Sequence, residues 1–297
     1  MRNLKRALSL GLTAAMISGL MVMGSSAASY ADVTSEQNEE AIEVLKAVEI
    51  MVGDENGNFN PDAQVTRNEM AVVMSNLMAY NVATYANTSP FTDVPSWAGP
   101  YVAACWTNGI TAGYSATTYG GSDNVTTAQA ALMLMKALGY FQYDSDFGTD
   151  WQLATITQGN KIVLFEDVDS NVRDAMTRND LAQLVLNTLE AGTVEADDDT
   201  IKVTTDGAVV EAGSVTYNYV TSGRPYATAI DNLRTYTSNA GTGGSDGYIV
   251  ELGEKLYNGD LKKDKAADDF GRPSNVWTYK SSEIGKYADN AVTTWTT

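Results

Sequence analysis

Two arginines stand directly after a threonine, in Thr66-Arg67-Asn68-Glu69 and Thr177-Arg178-Asn179-Asp180. A threonine in that place can cap a helix: its hydroxyl accepts from a backbone N–H three residues on, and an acid there can reach back. The arginine is not needed for capping. A guanidinium at a helix start presents a planar charged fork to a carboxylate. The free N–H groups and the dipole of the same helix end also favour negative charge. The chemistry on offer is recognition of an anion. The competing assignment for each arginine is a surface ion pair, which contributes little.

Other chemistry is excluded by composition. The 297 residues contain no histidine, which removes Ser-His-Asp and Cys-His catalysis and His-ligated zinc. The single cysteine, Cys105, permits no internal disulfide and lies in an apolar helical stretch, as a small core residue would. Asp54, Asn56, Asn58 and Asp62 superficially resemble a calcium loop. Gly57 and Val65 stand where that loop would not have them, so an Asx turn is the expectation. No metal and no cofactor are expected. A net charge of −18 argues against nucleic acid and anionic membrane surfaces as partners.

The elements that must position the arginines come from an internal repeat. Three helices are expected to open at Thr66, Thr126 and Thr177. Measured from each threonine, positions +4, +7, +8 and +12 are apolar: Met70, Val73, Met74, Met78; Ala130, Met133, Leu134, Leu138; Leu181, Leu184, Val185, Leu189. Those spacings form one stripe on a helix. Thr66 with Glu69 and Thr126 with Gln129 read as capping boxes, and Thr177 with Asp180 as a looser version with a shorter acid. A first helix precedes each, at about Asn38–Ile50, Trp97–Asn108 and Asp150–Gln158. Gly53 and Gly113 occupy one shared loop position, and Phe59 and Tyr119 another. The third copy has Leu164 and Ser170 there, so its loop must differ. Trp97 and Trp106 fall on nearly opposite helix faces. Trp106 is assigned to the core. Trp97 is the aromatic candidate for stacking on a sugar ring.

Gly53-Asp54-Glu55-Asn56-Gly57-Asn58-Phe59-Asn60-Pro61 with Val65-Thr66-Arg67-Asn68-Glu69, Phe91-Thr92-Asp93-Val94-Pro95-Ser96-Trp97-Ala98, and Met176-Thr177-Arg178-Asn179-Asp180 resemble the motifs of the S-layer homology family. The resemblance covers residues 36–194. It implies a mainly α fold: a three-lobed helical pseudo-trimer that binds secondary cell-wall polysaccharide attached to peptidoglycan, often pyruvylated. It implies that Arg67 and Arg178 face ligand grooves between lobes. Thr127 stands where the second copy's arginine would be, which leaves that groove without an assignment. Residues 32–196 hold 22 acidic and six basic residues, so a module binding an anionic polymer would need local positive sites.

Arg2, Lys5 and Arg6, an apolar run from Ala7 to Met23 and small residues before Ala31 form a secretory signal pattern, with the cut expected after Ala31. No later stretch is apolar for long enough to serve as a transmembrane anchor. The expected layout is a signal peptide at 1–31 and repeats at 32–85, 86–142 and 143–194. An acidic linker at 195–200 and a small β-rich or α+β domain at 201–297 follow. In that tail a hairpin is expected to turn at Asp206-Gly207, and Val215, Tyr217 and Tyr219 alternate as in a strand. Asn239–Gly247 reads as a connection, without phosphate-binding spacing. The last residues form a Thr-rich strand-like run, so the chain could be a fragment of a longer protein. The expected function is non-enzymatic: non-covalent anchoring of an exported protein to the bacterial cell wall, as an S-layer or display component able to self-associate. The alternatives are a wall-attached enzyme degrading polysaccharide by paired carboxylates, or an adhesin, with the activity in the tail.

Overall fold

The computed structural model describes residues 30–34, 37–197, 202–204, 207–209, 215–221, 236–237, 247–267 and 271–288. Residues 1–29, the turn at Asp206, Asn239–Asp246 and the final residues from 289 on, for which a signal pattern, a turn, a connection and a strand were expected, lie outside them.

Three helices begin where the threonines predict. They are α2 (Arg67–Leu77), α4 (Thr127–Leu138) and α6 (Arg178–Glu190). Thr66, Thr126 and Thr177 are their N-caps, all extended with φ between −80° and −85°. The two capping boxes form as expected. At Thr177 the hydroxyl accepts from Asp180 N–H, but the Asp180 carboxylate accepts from Ser170 Oγ and does not reach back. The apolar stripe is buried in all three helices apart from Met78, which is half-buried.

The preceding helices are α1 (Glu39–Ala47), α3 (Gly99–Thr107) and α5 (Trp151–Lys161). Each starts within two residues of its expected position. Helix α2 packs on α3, α4 on α5, and α6 on α1, so each second helix leans on the first helix of the next unit and the order closes on itself. Three backbone bonds close the same circle at the helix starts. Val65 N–H donates to Met176 O, Met176 N–H to Val125 O, and Val125 N–H to Val65 O, each at 2.9 Å.

The third unit's loop is shorter, for a reason visible in the backbone. Ile50, Ile110 and Leu164 each donate to the carbonyl five residues back and so play one role. Sixteen residues separate the first two from their threonines, and 13 separate Leu164 from Thr177. Leu164 therefore takes the place of Ile50, not of Gly53.

The tail makes the whole a mixed α+β fold instead of a mainly α one. Strand β1 (Val194–Asp197) pairs antiparallel with β4 (Thr216–Tyr219), and β2 (Lys202–Thr204) with β3 (Gly207–Val209). Thr204 pairs with Gly207, so Gly207 is a strand residue and not the second turn residue. Strands β5 (Tyr236–Thr237) and β6 (Gly247–Tyr248) pair, and α7 (Leu252–Tyr257) leads into a meander of β7 (Leu261–Ala267), β8 (Pro273–Tyr279) and β9 (Ser282–Ala288).

Residues 195–197 are strand, so the expected linker at 195–200 does not begin there. The described residues of the tail also pack on the helices. Val194, Leu252, Leu256, Leu261 and Trp277 belong to the same hydrophobic core as the helices. Trp277 Nε1 donates to Glu40 on α1, and Lys263 pairs with Glu190 at the end of α6 at 2.6 Å. Burial on both sides of the expected boundary joins the two parts.

Candidate functional site

The arginines stand at two of the three places where a helix start meets the loop of a neighbouring unit. Arg67 donates through Nε to Tyr119 O at 3.2 Å and through Nη2 to Ala112 O at 2.8 Å. Its guanidinium lies 4.6 Å from the Tyr119 ring centre and 4.8 Å from that of Tyr114. Arg178 repeats the arrangement on the first unit's loop. Nε donates to Phe59 O at 2.7 Å, Nη2 to Val52 O at 2.8 Å, and the guanidinium stands 4.6 Å from the Phe59 ring centre. Neither arginine has a carboxylate ion partner among the described residues. The surface ion pair is therefore not their role; each clamps a neighbouring loop by hydrogen bonds and cation–π contact.

The helix starts themselves are less open than expected. Arg67 N–H donates to Asp123 O and Asn68 N–H to Gly121 O; Arg178 N–H donates to Ala63 O and Asn179 N–H to Pro61 O. The third N–H in each is taken by the capping threonine. The N–H groups thought free for an anion are thus satisfied inside the protein. What remains on each arginine is Nη1, which makes no hydrogen bond to any described residue.

The two arginines differ in access. Arg67 is 7% exposed, beneath the Tyr114 ring. Its position disagrees with a simple groove-facing role. Arg178 is half-buried, and Asp54 holds the loop position that Tyr114 holds in the second unit. Burial lowers the Arg178 pKa, while Glu69, Tyr30, Asp54 and Asp32 nearby oppose that shift.

The loops that receive them are built alike. Asp93 accepts from Tyr119 N–H and Gly120 N–H, both at 2.8 Å, and those two bonds hold its carboxyl below the usual range. Asp32 accepts from Phe59 N–H and Asn60 N–H in the same way. Tyr30 packs on Phe59 with ring centres 5.5 Å apart, as Phe91 does on Tyr119 at 5.3 Å. A Cβ on Gly53 or Gly113 would come within 2.6 Å of the Asn58 or Thr118 carbonyl, so both loops need glycine there. Tyr30-Ala31-Asp32-Val33 is therefore the first unit's counterpart of Phe91-Thr92-Asp93-Val94. A cut after Ala31 would remove Tyr30 from this packing, so the first unit begins earlier than expected.

Asp54 closes the Asx turn foreseen for the first loop, accepting from Asn56 N–H and Asn58 N–H at 2.9 Å. Cys105 is buried, and burial pushes its thiol pKa up to about 12, as expected of a core residue. Trp106 is a correction. It is 38% exposed and meets Phe91 edge-on, so the core assignment fails. Trp97 is 55% exposed and makes no ring contact with either arginine, so it is open to solvent but not part of their sites.

At the remaining place, Thr127 N–H donates to Asp174 O and Ala128 N–H to Val172 O, with no arginine to clamp the loop. A cleft of about 480 Å³ opens there. Sequence reasoning missed it because its walls come from α4, α5 and a shortened loop. The signals available were Thr127 for arginine and Ser170 for the loop aromatic.

Residues 29–71 and 90–131 match the S-layer homology domain. The first match begins at the residue before Tyr30, in accord with the packing of Tyr30 in the first unit. Among curated proteins, the "Surface-layer 125 kDa protein" of Lysinibacillus sphaericus is 33% identical over 129 residues, 42% of this chain and 11% of that protein. The "Middle cell wall protein" of Brevibacillus brevis is 24% identical over 163 residues, 53% of this chain and 15% of that protein. The "Cell surface protein" of Thermoanaerobacter kivui is 25% identical over 202 residues, 66% and 26% of the respective chains. The chain thus spans about a tenth to a quarter of the length of the relatives it matches. The S-layer homology segments and these relatives indicate a protein of the bacterial cell surface. No helix among the described residues is long and apolar enough to cross a membrane.

Proposed function

We propose that this chain anchors an exported protein to the bacterial cell wall by holding an anionic, pyruvylated secondary cell-wall polysaccharide. The third helical segment, residues 143–194, is read as a third and diverged S-layer homology repeat completing a pseudo-trimer. Supporting this are the shared cap geometry at Thr177 and the closed backbone circle through Val65, Val125 and Met176. The role is one of binding, with no catalytic step, and self-association in a surface layer is compatible with it.

The observation that carries the reading is Arg178. Its Nε and Nη2 are fixed on two loop carbonyls, which orients the guanidinium, while Nη1 keeps two N–H donors for a ligand. A pre-oriented cation with spare donors suits a carboxylate substituent on a sugar. Arg67 offers the same donors only if the Tyr114 ring swings aside, so it is the weaker contributor.

The test is sedimentation of the exported chain with cell-wall sacculi carrying a pyruvylated polymer. Co-sedimentation is expected, and it should vanish on sacculi stripped of that polymer. Equal binding to stripped sacculi would overturn the reading.

A further inference from the structure

We propose that this chain has a processing site at the Ser29–Tyr30 bond, and that the amino group released there becomes the ion partner of Glu43, a carboxylate buried in the first unit. The inference goes beyond the wall-binding reading and does not depend on which polymer the chain holds.

The argument starts at Glu43 on α1. It is 4% exposed, and both its carboxylate oxygens are buried without a hydrogen-bond partner among the described residues. Lys46 Nζ stands 3.7 Å from Oε2, too far for a hydrogen bond. Glu39, of like sign, also lies close, as do the phenols of Tyr30 and of Tyr287 on β9. A carboxylate taken out of water needs an opposite charge and donors for its lone pairs.

One more donor faces the site. The backbone N–H of Tyr30 is directed at the Glu43 carboxylate. Tyr30 is held from several sides. Its ring packs on Phe59, with Lys46 Nζ 4.1 Å from the ring centre. Its hydroxyl accepts from Gly53 N–H at 2.7 Å, and its carbonyl accepts from Val33 N–H at 3.1 Å. Its nitrogen is therefore a fixed point of the first unit. As an amide that nitrogen offers a single donor and no charge. As the first nitrogen of a chain it is an ammonium, with three donors and a positive charge.

The sequence supplies the means. A secretory leader is cut after small residues, one and three places before the scissile bond. Ser29 and Ala27 hold those places for a cut before Tyr30. Ala28 and Ser26 would serve a cut before Ser29, which leaves the ammonium one residue, about 3.8 Å, along the chain. Only the Ser29–Tyr30 cut puts the charge on the nitrogen that faces Glu43. Hydrolysis there consumes one water. Its oxygen joins the Ser29 acyl carbon, which leaves as a carboxylate, and both protons go to the Tyr30 nitrogen. While the chain continues upstream of Tyr30, burial raises the Glu43 pKa, with Lys46 opposing. After the cut the ammonium holds the carboxylate ionised, so the first unit gains stability once the leader is gone.

Mass spectrometry of the full secreted chain is expected to give Tyr30 as its first residue. A terminus at Ser29, at Asp32 or at any other residue would overturn the site. The pairing is read on the full chain beginning at Tyr30, compared with the same chain acetylated on that nitrogen, which keeps one N–H and removes the charge. At pH 7 acetylation is expected to raise the unfolding equilibrium constant about tenfold, read by urea titration. In Glu43→Gln, of similar shape and without charge, acetylation should change nothing. No effect in the parent, or an equal effect in Glu43→Gln, would overturn the pairing. If Glu43→Gln does not fold, NMR titration of the nitrogen-15-labelled Tyr30 amino group decides. A pKa above the value of about 8 for a solvated α-amino group supports the pair, and one at or below it overturns the pair. None of these outcomes touches sacculus binding, so the anchoring reading stands or falls by its own test.

Discussion

At two places in the ring of helices an arginine bolts one unit to the loop of the next; at the third, Thr127 leaves the loop unclamped and a cleft open. The same short motif position thus does two kinds of work. Where the arginine is present, its bonds to carbonyls and its aromatic partner make it a structural clasp. Where it is absent, the cleft stays open. A signature residue can mark a helix start and also hold the loop of the next unit in place.

Removing the clasps is the harshest way to break this comparison. Arg67→Ala strips two carbonyl acceptors of a charged partner and leaves two tyrosine rings around a void. A loss of about 2–4 kcal/mol is expected, read as a lower urea midpoint with unchanged slope. Arg67→Lys should recover little, because an ammonium cannot span both carbonyls as the fork does. Arg178→Ala should cost less, about 1–2 kcal/mol, because the site is half-exposed and screened. It should also lower retention on sacculi. Equal stability losses at the two positions would erase the distinction between clasp and ligand group.

The first unit depends on Tyr30 in the way the second depends on Phe91. Tyr30→Ala removes the packing on Phe59 and the hydroxyl that accepts from Gly53 N–H. A loss of about 2 kcal/mol is expected. Mass spectrometry of the secreted chain should find its N-terminus ahead of Tyr30. A terminus at Asp32 would mean the first unit folds without its ring pair.

The caps give a smaller contrast. Thr66→Ala should cost about 1 kcal/mol, and Thr177→Ala somewhat less, since only Thr66 has a reciprocal acid. Identical costs would show that the Asp180–Ser170 contact replaces the missing half of the box.

How much of this was legible follows from what kind of interaction each feature uses. The helix starts and the buried stripe were readable because caps and 3.6-residue periodicity are local. Leu164 was set in the wrong slot because a three-residue deletion in the loop shifts Leu164 and what precedes it against the repeat, while Ser170 keeps its place. The roles of Arg67 and Arg178 escaped because their partners are backbone carbonyls 45 to 126 positions away, and a carbonyl carries no sequence signal. Trp106 was misjudged because the neighbours of its helix leave one side uncovered. The tail was expected to stand apart because its composition changes near residue 195. Nothing in composition reveals that Trp277 reaches Glu40 on the first helix.

The mildest test concerns pH and compares the second unit's loop with the rest. Asp93 accepts two backbone N–H bonds in the folded protein, which lowers its folded pKa below the value in the unfolded chain, about 3.9. A carboxyl shifted that way contributes stability that is present above the unfolded pKa and lost as pH falls through the folded one. The urea midpoint of the parent should therefore begin to drop near about pH 4 and continue below it. Asp93→Asn should start lower at pH 7 and fall less on acidification, since the titrating group is gone. Asp54 is depressed too, by Asn58 N–H first and then the Asn60 side chain, so Asp54→Asn should flatten the same limb in the first unit. Burial raises Glu43 in the opposite sense, so its ionisation opposes folding, and protonating it on acidification partly offsets the loss. If Asp93→Asn and the parent fall in parallel from pH 5 to pH 3, the loop is not held by that carboxylate. The likeness between the first two units would then reside in their aromatic pairs alone.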